Sequence, residues 1–257
     1  MLNIEPIPAF NDNYIWLISC PDSKRAFVVD PGDAAPVEAA LSERELSLAG
    51  ILVTHHHFDH TGGVAELQQR HAAQVFGPHN EAIEGVDVRL GAGDEVEVFG
   101  QRFTVLEVPG HTLDHIAYYH EGNTPLLFCG DTLFAAGCGR VFEGTPPMMH
   151  ASLQQLAALP GNTQVYCAHE YTLANLAFAR AVEPGNQRLA QRMQDAQATR
   201  DRGEPTVPST VALELSTNPF VRCQQPELLA SLREQGRLES DDPDAVFATV
   251  RGWKDSF

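Results

Sequence analysis

Short apolar runs separated by turn residues fill the first two thirds of the chain. The runs at 14–18 and 26–29 are rich in β-branched and aromatic residues, and the second stops at the turn signal Asp30-Pro31-Gly32. Similar runs predict strands at 50–53, 96–98, 103–108, 116–119, 126–129 and 164–167. Helical spacing of apolar residues occurs between the strands, at 64–71 and 153–159. Strands interleaved with helices predict a layered α/β or α+β domain.

The pattern changes after His169, where the chain becomes rich in Ala, Leu, Gln, Arg and Glu. This composition predicts helices at 173–181, 186–200, 226–235 and 243–253, with a proline-punctuated connection at 203–219. We therefore place a domain boundary near Tyr171, which divides the chain into residues 1–171 and a mainly helical segment, residues 172–257.

Charge narrows the range of partners. The sequence has 17 basic and 34 acidic residues, and a net charge of -17 repels both phosphate backbones and anionic membranes. No apolar tract is long enough to span a bilayer, and the first residues lack the basic and apolar regions of a secretory signal. We expect a cytoplasmic monomer with neither a nucleic-acid nor a membrane partner.

The five cysteines are odd in number, and no pair has the C-x-x-C spacing of a zinc knuckle or a redox dithiol. In a cytoplasmic protein, this pattern predicts reduced and mostly buried thiols rather than disulfides or a catalytic thiol.

Candidate chemistry is concentrated in residues 54–60, Thr-His-His-His-Phe-Asp-His, directly after the predicted strand at 50–53. Imidazole and carboxylate ligands together suit zinc, iron or manganese, and one ion rarely takes four ligands so close in sequence. Two adjacent ions explain the density better. In this interpretation His55 and His57 bind one ion, and Asp59 and His60 bind the other.

Three further candidates each follow a predicted strand: His111 in Gly-His-Thr, Asp131 in Gly-Asp-Thr and His169 in Ala-His-Glu. Ligands at strand ends can converge on one edge of a sheet, and a carboxylate such as Asp131 can bridge two ions. A lone histidine after a strand is more often a hydrogen-bonding loop residue. His111 and His169 therefore depend on the 54–60 cluster for their interpretation as ligands.

The other histidines have weaker claims. We expect His56 to point away from the ligands, and His115 to serve either as support for a ligand or as plain structure. The remaining four are interpreted as ordinary surface or turn residues: His71, His79, His120 and His150.

Thr-His-x-His-x-Asp-His, followed by Gly-His-Thr, Gly-Asp-Thr and Ala-His-Glu, resembles the metallo-β-lactamase superfamily. The resemblance implies an αββα sandwich with two metal ions at one edge. It also implies that the first ion is bound by His55, His57 and His111. The second ion would be bound by Asp59, His60 and His169, with Asp131 bridging the two.

Local motifs along nearly the whole chain resemble one family within that superfamily, the hydroxyacylglutathione hydrolases or glyoxalase II enzymes. These motifs are 11–14 (Asn-Asp-Asn-Tyr), 130–134, 137–140, 143–145, 169–172, 218–220 (Asn-Pro-Phe) and 251–255. The resemblance implies hydrolysis of S-D-lactoylglutathione, and of related 2-hydroxyacyl thioesters, to glutathione and D-lactate. This is the second step of methylglyoxal detoxification. Residues 1–171 would then be the catalytic domain and 172–257 the glutathione-binding domain.

Four residues match positions where the family contacts glutathione: Arg140, Tyr171, Arg251 and Lys254. Arg251 and Lys254 are three residues apart and therefore share one face of a helix. The chain departs from the family pattern where Arg140 replaces a frequent Lys, Phe142 replaces a Tyr of some relatives and Asp114 replaces a frequent Gly. None of these departures affects a proposed ligand.

The expected mechanism uses hydroxide held between two divalent ions, with Asp59 orienting it toward the thioester carbonyl. Zinc is the expected metal, and iron or manganese are the alternatives. Two other functions remain open at this stage. One is a persulfide dioxygenase of the same superfamily, which uses a single iron ion. The other is a binding protein that holds glutathione conjugates without turnover.

Overall fold

The computed structural model of the chain describes residues 2–257, which divide into two compact units. Unit 1 runs to Glu107 and includes Asp114–Gly130, whereas unit 2 consists of Val108–Leu113 and Asp131–Phe257. Unit 1 therefore contains the 54–60 segment, and unit 2 contains His111, Asp131 and His169.

A six-stranded sheet with the order β1-β2-β3-β4-β5-β6 dominates unit 1. Its strands are β1 (Asn3–Ala9), β2 (Asn13–Ser19), β3 (Arg25–Val29), β4 (Ser47–Leu52), β5 (Gln74–Pro78) and β6 (Val88–Leu90). The first three strands pair antiparallel, and β3 to β6 pair parallel. Helix α1 (Ala34–Glu43) connects β3 to β4. The short α2 (Phe58–Thr61) and α3 (Val64–His71) connect β4 to β5.

Four antiparallel strands complete unit 1: β7 (Glu95–Val98), β8 (Gln101–Glu107), β9 (Ile116–His120) and β10 (Leu126–Gly130). In β7 the apolar Val96 and Val98 are buried while the glutamates between them are exposed, which is the alternation expected of a strand with one solvated face. In β10 every residue is buried, so this strand is covered on both faces.

Unit 2 is mainly helical. Its strands are short: β11 (Leu133–Phe134), β12 (Gly137–Cys138), β13 (Gln164–Cys167) and β14 (Ser209–Thr210). Its α-helices are α4 (Pro146–Ala157), α5 (Thr172–Val182), α6 (Gln187–Asp201), α7 (Val211–Thr217), α8 (Pro226–Glu234) and α9 (Pro243–Asp255). A 3-10 turn at Pro219–Val221 follows α7. Strands and helices together confirm the predicted α+β class.

Most helix starts follow from local sequence. Side-chain oxygens cap the first turns of α1, α4, α6, α7 and α9, from Asp33, Thr145, Asn186, Thr210 and Asp242. Proline occupies the beginning of α4, α8 and α9, where its missing N–H costs no hydrogen bond. These caps define the ends of the helices that hold the polar residues described below.

The structure differs from the sequence predictions at several elements. The connection at 203–219 contains α7, and the segment at 54–60 is not all loop, because Asp59 and His60 lie in α2. Four elements of unit 1 were not predicted: β1, α1, β5 and β6. His150 was expected at the surface, but it is buried in α4, where its Nδ1 lies 2.6 Å from the Asp244 carboxylate.

Two other predictions concern the whole chain. Among residues 2–257, no helix combines the length and the apolar character needed to cross a membrane. Within the same residues all five cysteines are free thiols, and all but Cys20 are buried, as predicted.

Candidate metal centre

The first set of predicted ligands follows strand β4 in unit 1. His55 lies beyond the end of the strand, and His57 precedes the first turn of α2, which carries Asp59 and His60. The Nε2 atom of His55 is 3.1 Å from the Nδ1 atom of His57. Two imidazole nitrogens of neighbouring residues thus face one point.

A buried carboxylate, that of Asp30, holds the 54–60 segment in place. Asp30, which is 4% exposed, follows strand β3 and accepts hydrogen bonds from both the backbone N–H and the hydroxyl of Thr54, each at 2.7 Å. The Nδ1 atom of His60 lies 3.0 Å from the same carboxylate. Because Nδ1–H donates to Asp30, the Nε2 atom of His60 keeps its lone pair for a metal.

The tautomer of His55 is set in the same way. The hydroxyl proton of Thr54 goes to Asp30, so the Thr54 oxygen accepts from His55 Nδ1–H, 3.1 Å away. His55 Nε2 is then the unprotonated nitrogen. His115 stacks on His55 with ring centroids 4.5 Å apart and donates its Nδ1–H to the Ile116 carbonyl at 3.1 Å. His115 is therefore a support for a predicted ligand, which was one of its two sequence interpretations.

Asp59 completes the unit 1 set. Its Oδ2 atom lies 3.6 Å from His60 Nε2 and accepts a hydrogen bond of 3.0 Å from the side-chain amide of Asn13. Asn13 also reaches the Asp59 carbonyl oxygen, at 3.5 Å. The carboxylate is thus oriented by a residue at the start of β2, although its side chain remains partly exposed.

The second set of predicted ligands lies in unit 2 around Asp131. One carboxylate oxygen, Oδ2, is 3.4 Å from His111 Nε2, and the other, Oδ1, is 3.3 Å from His169 Nε2. All three side chains are nearly buried. A single carboxylate therefore presents its two oxygens to two different histidines, which is the arrangement expected of a bridging ligand.

Backbone contacts hold His111 in place. Its Nδ1–H donates to the Arg140 carbonyl at 2.8 Å, so Nε2 is again the unprotonated nitrogen. Gly139 lies against the same ring: a Cβ atom there would be 3.0 Å from His111 Nδ1 and 2.0 Å from the Asp131 carbonyl oxygen. Any larger residue at 139 would displace both ligands.

Aromatic rings surround His169. Tyr171 stacks on its imidazole with centroids 4.7 Å apart and planes 6° apart, while Phe134 meets the imidazole edge-on at 5.8 Å. Glu170 ties the adjacent backbone to Thr206, whose N–H and hydroxyl both donate to its carboxylate. These contacts restrict the orientation of the His169 ring.

The spacing of donor atoms fits metal ions. Two ligands about 2.0–2.2 Å from an ion at a near-tetrahedral angle lie roughly 3.3–3.6 Å apart. The donor pairs within each unit are separated by 3.1 to 3.6 Å. In the described part of the chain, all seven predicted ligands belong to groups of histidine and aspartate side chains that could hold a metal ion. The set is made of nitrogen and oxygen donors without cysteine, which suits zinc, iron or manganese.

Asp114 and Phe142, two departures from the family pattern, each lie close to a histidine. The Nδ1 atom of His56 lies 2.9 Å from Asp114, whose other oxygen accepts from the Asn80 amide at 2.8 Å. Asp114, the departure from a frequent Gly, thus ties His56 to a different loop. Phe142 is exposed, and its ring centroid lies 5.3 Å from that of His111.

The predicted glutathione-binding residues all lie in unit 2, but their environments differ. Arg140 is exposed, Tyr171 is 36% exposed and Lys254 is partly exposed. Arg251 is only 5% exposed and donates to the Cys138 carbonyl at 3.1 Å and to Asp255 at 2.9 Å. Burial, followed by the charge of Arg251, lowers the pKa of Lys254 below its usual value of 10.5.

Sequence reasoning missed two residues that touch the ligands, Asp30 and Asn13. Asp30 reads as part of an Asp-Pro-Gly turn, and Asn13 as one residue of the Asn-Asp-Asn-Tyr motif. One signal was available for Asp30: it follows a strand, as the predicted ligands do. Its backbone φ of 53° at a non-glycine residue is a structural sign of the same constraint, which the sequence does not display.

Comparison with known proteins assigns the chain to a superfamily. Residues 10–169 match the family model for the metallo-beta-lactamase superfamily. The crystal structure of ETHE1 from Myxococcus xanthus has a TM-score of 0.66 and 26% sequence identity, covering 100% of this chain and 99% of that one. TTHA1623 in a di-iron-bound form has a TM-score of 0.61 and 25% identity, covering 84% of this chain and 99% of that one. The chain is a metallo-β-lactamase superfamily protein, and the predicted fold is confirmed.

The remaining residues narrow the class to one family. Residues 170–257 match the model described as "Hydroxyacylglutathione hydrolase C-terminus". The hydroxyacylglutathione hydrolase of Pseudomonas paraeruginosa (strain DSM 24068 / PA7) is 56% identical over 258 residues, covering 100% of both chains. The chain belongs to the hydroxyacylglutathione hydrolase family, the glyoxalase II thioester hydrolases that act on a glutathione thioester. The predicted family and enzyme class are confirmed.

Proposed function

We propose that the seven ligands hold two divalent cations in one dinuclear centre that hydrolyses S-D-lactoylglutathione. His55, His57 and His111 would hold the first ion, Asp59, His60 and His169 would hold the second, and Asp131 would be the ligand common to both. The observation that carries this proposal is the position of Asp131, whose two oxygens lie 3.4 Å from His111 and 3.3 Å from His169. Two ions, one beside each oxygen of Asp131, would account for both contacts.

In the reaction, the oxygen of water bonds to the thioester carbon, and the carbon–sulfur bond breaks. The products are D-lactate and glutathione, whose sulfur leaves as a thiolate and needs little acid assistance. When bound, the two cations would supply Lewis-acid chemistry, which makes water a nucleophile near neutral pH and favours attack on a carbonyl group. No serine or cysteine nucleophile is needed, in agreement with the high pKa of the buried thiols, about 11 for Cys138 and about 12 for Cys167.

The chain's own contribution is orientation. The Asp59 carboxylate, held by Asn13, accepts a hydrogen bond from the attacking water and directs its oxygen toward the carbonyl carbon. Asp30 keeps His60 in the tautomer that binds with Nε2, and the Arg140 carbonyl does the same for His111. The ligand geometry is therefore set before substrate binds, and little reorganisation remains for the transition state.

Glutathione binding is proposed for Arg140, Tyr171, Arg251 and Lys254. Glutathione carries two carboxylates, and a chain with a net charge of -17 must attract them locally. Lys254 is suited to this task because burial, followed by the charge of Arg251, lowers its pKa and disfavours its charged form, and an arriving carboxylate would relieve that penalty. Arg251 is nearly buried beside Lys254, and among the described residues its Nε atom has no hydrogen-bond partner.

We retain the other expectations as parts of this proposal. Residues 1–171 form the catalytic domain and residues 172–257 the substrate-binding domain, a division close to the boundary at 169/170 between the two matched family models. Zinc is the proposed metal, with iron or manganese as alternatives. The protein acts as a monomer in the cytoplasm, without nucleic acid or membrane.

The test is hydrolysis of S-D-lactoylglutathione by purified protein, followed through thioester absorbance. We expect rapid loss of substrate, abolition by a chelator and recovery when a divalent metal is restored. A fully metallated protein that leaves the thioester intact would refute the proposed substrate. Oxygen uptake with glutathione persulfide would then indicate the dioxygenase alternative, and tight binding of the thioester without turnover would indicate a binding protein.

A further inference from the structure

A two-stranded hairpin, β11 and β12 at residues 133–138, connects the parts of the unit 2 ligand set. On the chain it begins two residues after Asp131 and ends two residues before Arg140, whose carbonyl holds His111. Its Phe134 ring lies against His169, at 5.8 Å. The 133–138 hairpin is therefore linked to each of the three proposed unit 2 ligands: to Asp131 along the chain, to His111 through Arg140 and to His169 through Phe134.

Five consecutive residues of this hairpin, 134–138, form backbone hydrogen bonds with polar side chains of the helical region: four through their carbonyls and Ala136 through its N–H. Asn218 makes two of these hydrogen bonds. It belongs to the Asn-Pro-Phe motif after α7, and its side chain is fully buried. Its Nδ2 donates to the carbonyls of Phe134 at 3.2 Å and Gly137 at 2.8 Å. Its Oδ1 accepts from the N–H of Phe220 at 3.0 Å, which fixes the orientation of the amide.

Glu214 of α7 supports the turn of the hairpin. Its Oε2 accepts from the backbone N–H of Ala136 at 2.8 Å and from Asn218 at 3.0 Å. Ala136 has a φ of 56°, a left-handed conformation that alanine seldom adopts, so this contact stabilises an unfavourable turn. The other oxygen of Glu214 pairs with Arg192 at 2.6 Å, which leaves the buried charge compensated.

Two further side chains complete the set. The amide of Asn175 in α5 donates to the Ala135 carbonyl at 3.1 Å, and Nη1 of Arg251 in α9 donates to the Cys138 carbonyl at 3.1 Å. A backbone segment of this length without a wider sheet would otherwise leave buried carbonyls without partners. The helical region thus supplies the partners that neighbouring strands supply elsewhere.

We propose that Asn218 is a positioning residue for the metal centre, acting through the 133–138 hairpin on Asp131, His111 and His169. This inference rests on the proposed dinuclear function, because it concerns the ligands assigned there. The helical region then has a second task besides binding glutathione: it positions three of the seven proposed ligands. Loss of the Asn218 amide leaves two carbonyls without their donor and allows the hairpin to shift.

The test compares Co²⁺ binding by metal-free wild type with that of Asn218→Ala and Asn218→Asp, using a competing chelator and the visible spectrum of bound Co²⁺. Asn218→Asp keeps the acceptor for Phe220 but loses the donor to the hairpin. We expect both variants to bind Co²⁺ about 10- to 100-fold more weakly, as for other partners behind metal ligands, and with an altered spectrum.

Asn186→Ala is the matched control. Asn186 is also a capping asparagine of the helical region, but its amide donates to the Ser216 carbonyl and not to the hairpin. We expect this variant to keep the wild-type affinity and spectrum even if its melting temperature falls. Equal weakening in Asn186→Ala would show that metal affinity follows general stability and would overturn the proposal.

Other outcomes are equally decisive. Folded Asn218→Ala with wild-type affinity and spectrum would refute the positioning role. If that variant does not fold, Asn175→Ala, which removes only the hydrogen bond to Ala135, takes its place. We then expect weaker Co²⁺ binding and an altered spectrum, with smaller changes than for Asn218→Ala. Failure of the proposed function has a different signature: wild type would bind metal and leave S-D-lactoylglutathione intact, whereas failure of this inference leaves wild-type hydrolysis normal.

Discussion

The two sets of predicted ligands are held in place in different ways. In unit 1 four ligands come from six consecutive residues, 55–60, and one buried carboxylate, Asp30, holds the segment through Thr54 and His60. In unit 2 the ligands His111, Asp131 and His169 come from three separate connections. They are held by backbone carbonyls, aromatic rings and a hairpin that depends on distant helical residues.

The difference shows that a compact motif needs few outside partners, whereas dispersed ligands need a scaffold. The unit 1 ligand candidates are close together in sequence, and Asp30 orients His60 directly and His55 through Thr54. Each unit 2 ligand has its own freedom to move, and several contacts must restrict it. In unit 1 we therefore expect one substitution, at Asp30, to weaken metal binding strongly. In unit 2 we expect several substitutions of supporting residues to weaken it, each by a smaller amount.

The largest effect is expected from Asp131→Ala, which removes the carboxylate whose two oxygens face His111 and His169. Metal content should fall to one ion or none per chain, and turnover should fall by more than about 100-fold, since even partners behind ligands cost about 10- to 100-fold. Metal analysis and initial rates check both numbers. Asp195→Ala, at an exposed position of α6, serves as the control. Near-normal metal content and rate in Asp131→Ala would rule out the bridging role.

Asp30→Asn tests whether unit 1 depends on one residue. The amide keeps the shape but directs an N–H toward groups that are themselves donors, Thr54 and His60. We expect metal affinity about 10- to 100-fold weaker and the free energy of unfolding lower by about 1–3 kcal/mol. Chelator competition and urea unfolding measure the two quantities.

Asp33→Asn is the control for Asp30→Asn, because Asp33 lies in the same turn and caps α1 through Ala35, a task that asparagine performs equally well. It should leave both quantities unchanged. If the two variants behaved alike, the buried carboxylate would not be what holds the 54–60 segment.

Lys254→Ala tests a residue of unit 2 that lies outside the ligand set. Loss of one charge-assisted contact at a partly exposed site should raise KM by about 10-fold and leave kcat nearly unchanged. Because its pKa is lowered, mainly by burial, KM of the wild type should begin to rise with pH below the usual lysine value of 10.5. Lys24→Ala, at an exposed pair with Glu45, is the control. A drop in kcat at constant KM would contradict a role in ground-state binding.

The smallest effect concerns the thiols. Burial raises the pKa to about 11 for Cys138 and to about 12 for Cys167 and Cys223. The folded protein favours their neutral form, so the stability they contribute is complete below the ordinary value of 9.0 and is lost as the pH rises through about 11–12. At pH 8 we expect a thiol reagent to label only Cys20 of the native protein. Rapid labelling of the buried thiols at that pH would contradict their burial.

The sequence indicates candidate ligands more readily than the residues that hold those candidates in place. All seven predicted ligands follow strands or lie in the 54–60 motif, where residue type and spacing carry the chemistry. Asp30 was missed because an Asp-Pro-Gly turn has the same appearance whether or not its carboxylate is buried. The contacts of Asn218 with the hairpin span 81 and 84 residues of sequence, and no local pattern indicates them.

The fold shows the same limit. Strand β1 contains Pro6 and Pro8, which argue against a strand by local propensity, but it lies at the edge of its sheet, where proline is tolerated. Helix α1 has Pro36 in its first turn, where a missing N–H costs nothing. Helix α7 was hidden in a segment with three prolines, at 205, 208 and 219, although its capping residue Thr210 is a recognisable start signal.

The most direct test of the account is a metal titration of metal-free protein with S-D-lactoylglutathione hydrolysis measured at each step. Two ions per chain, with full turnover only after the second has bound, is the predicted result. Full turnover with a single ion per chain, or turnover without metal, would contradict the dinuclear centre.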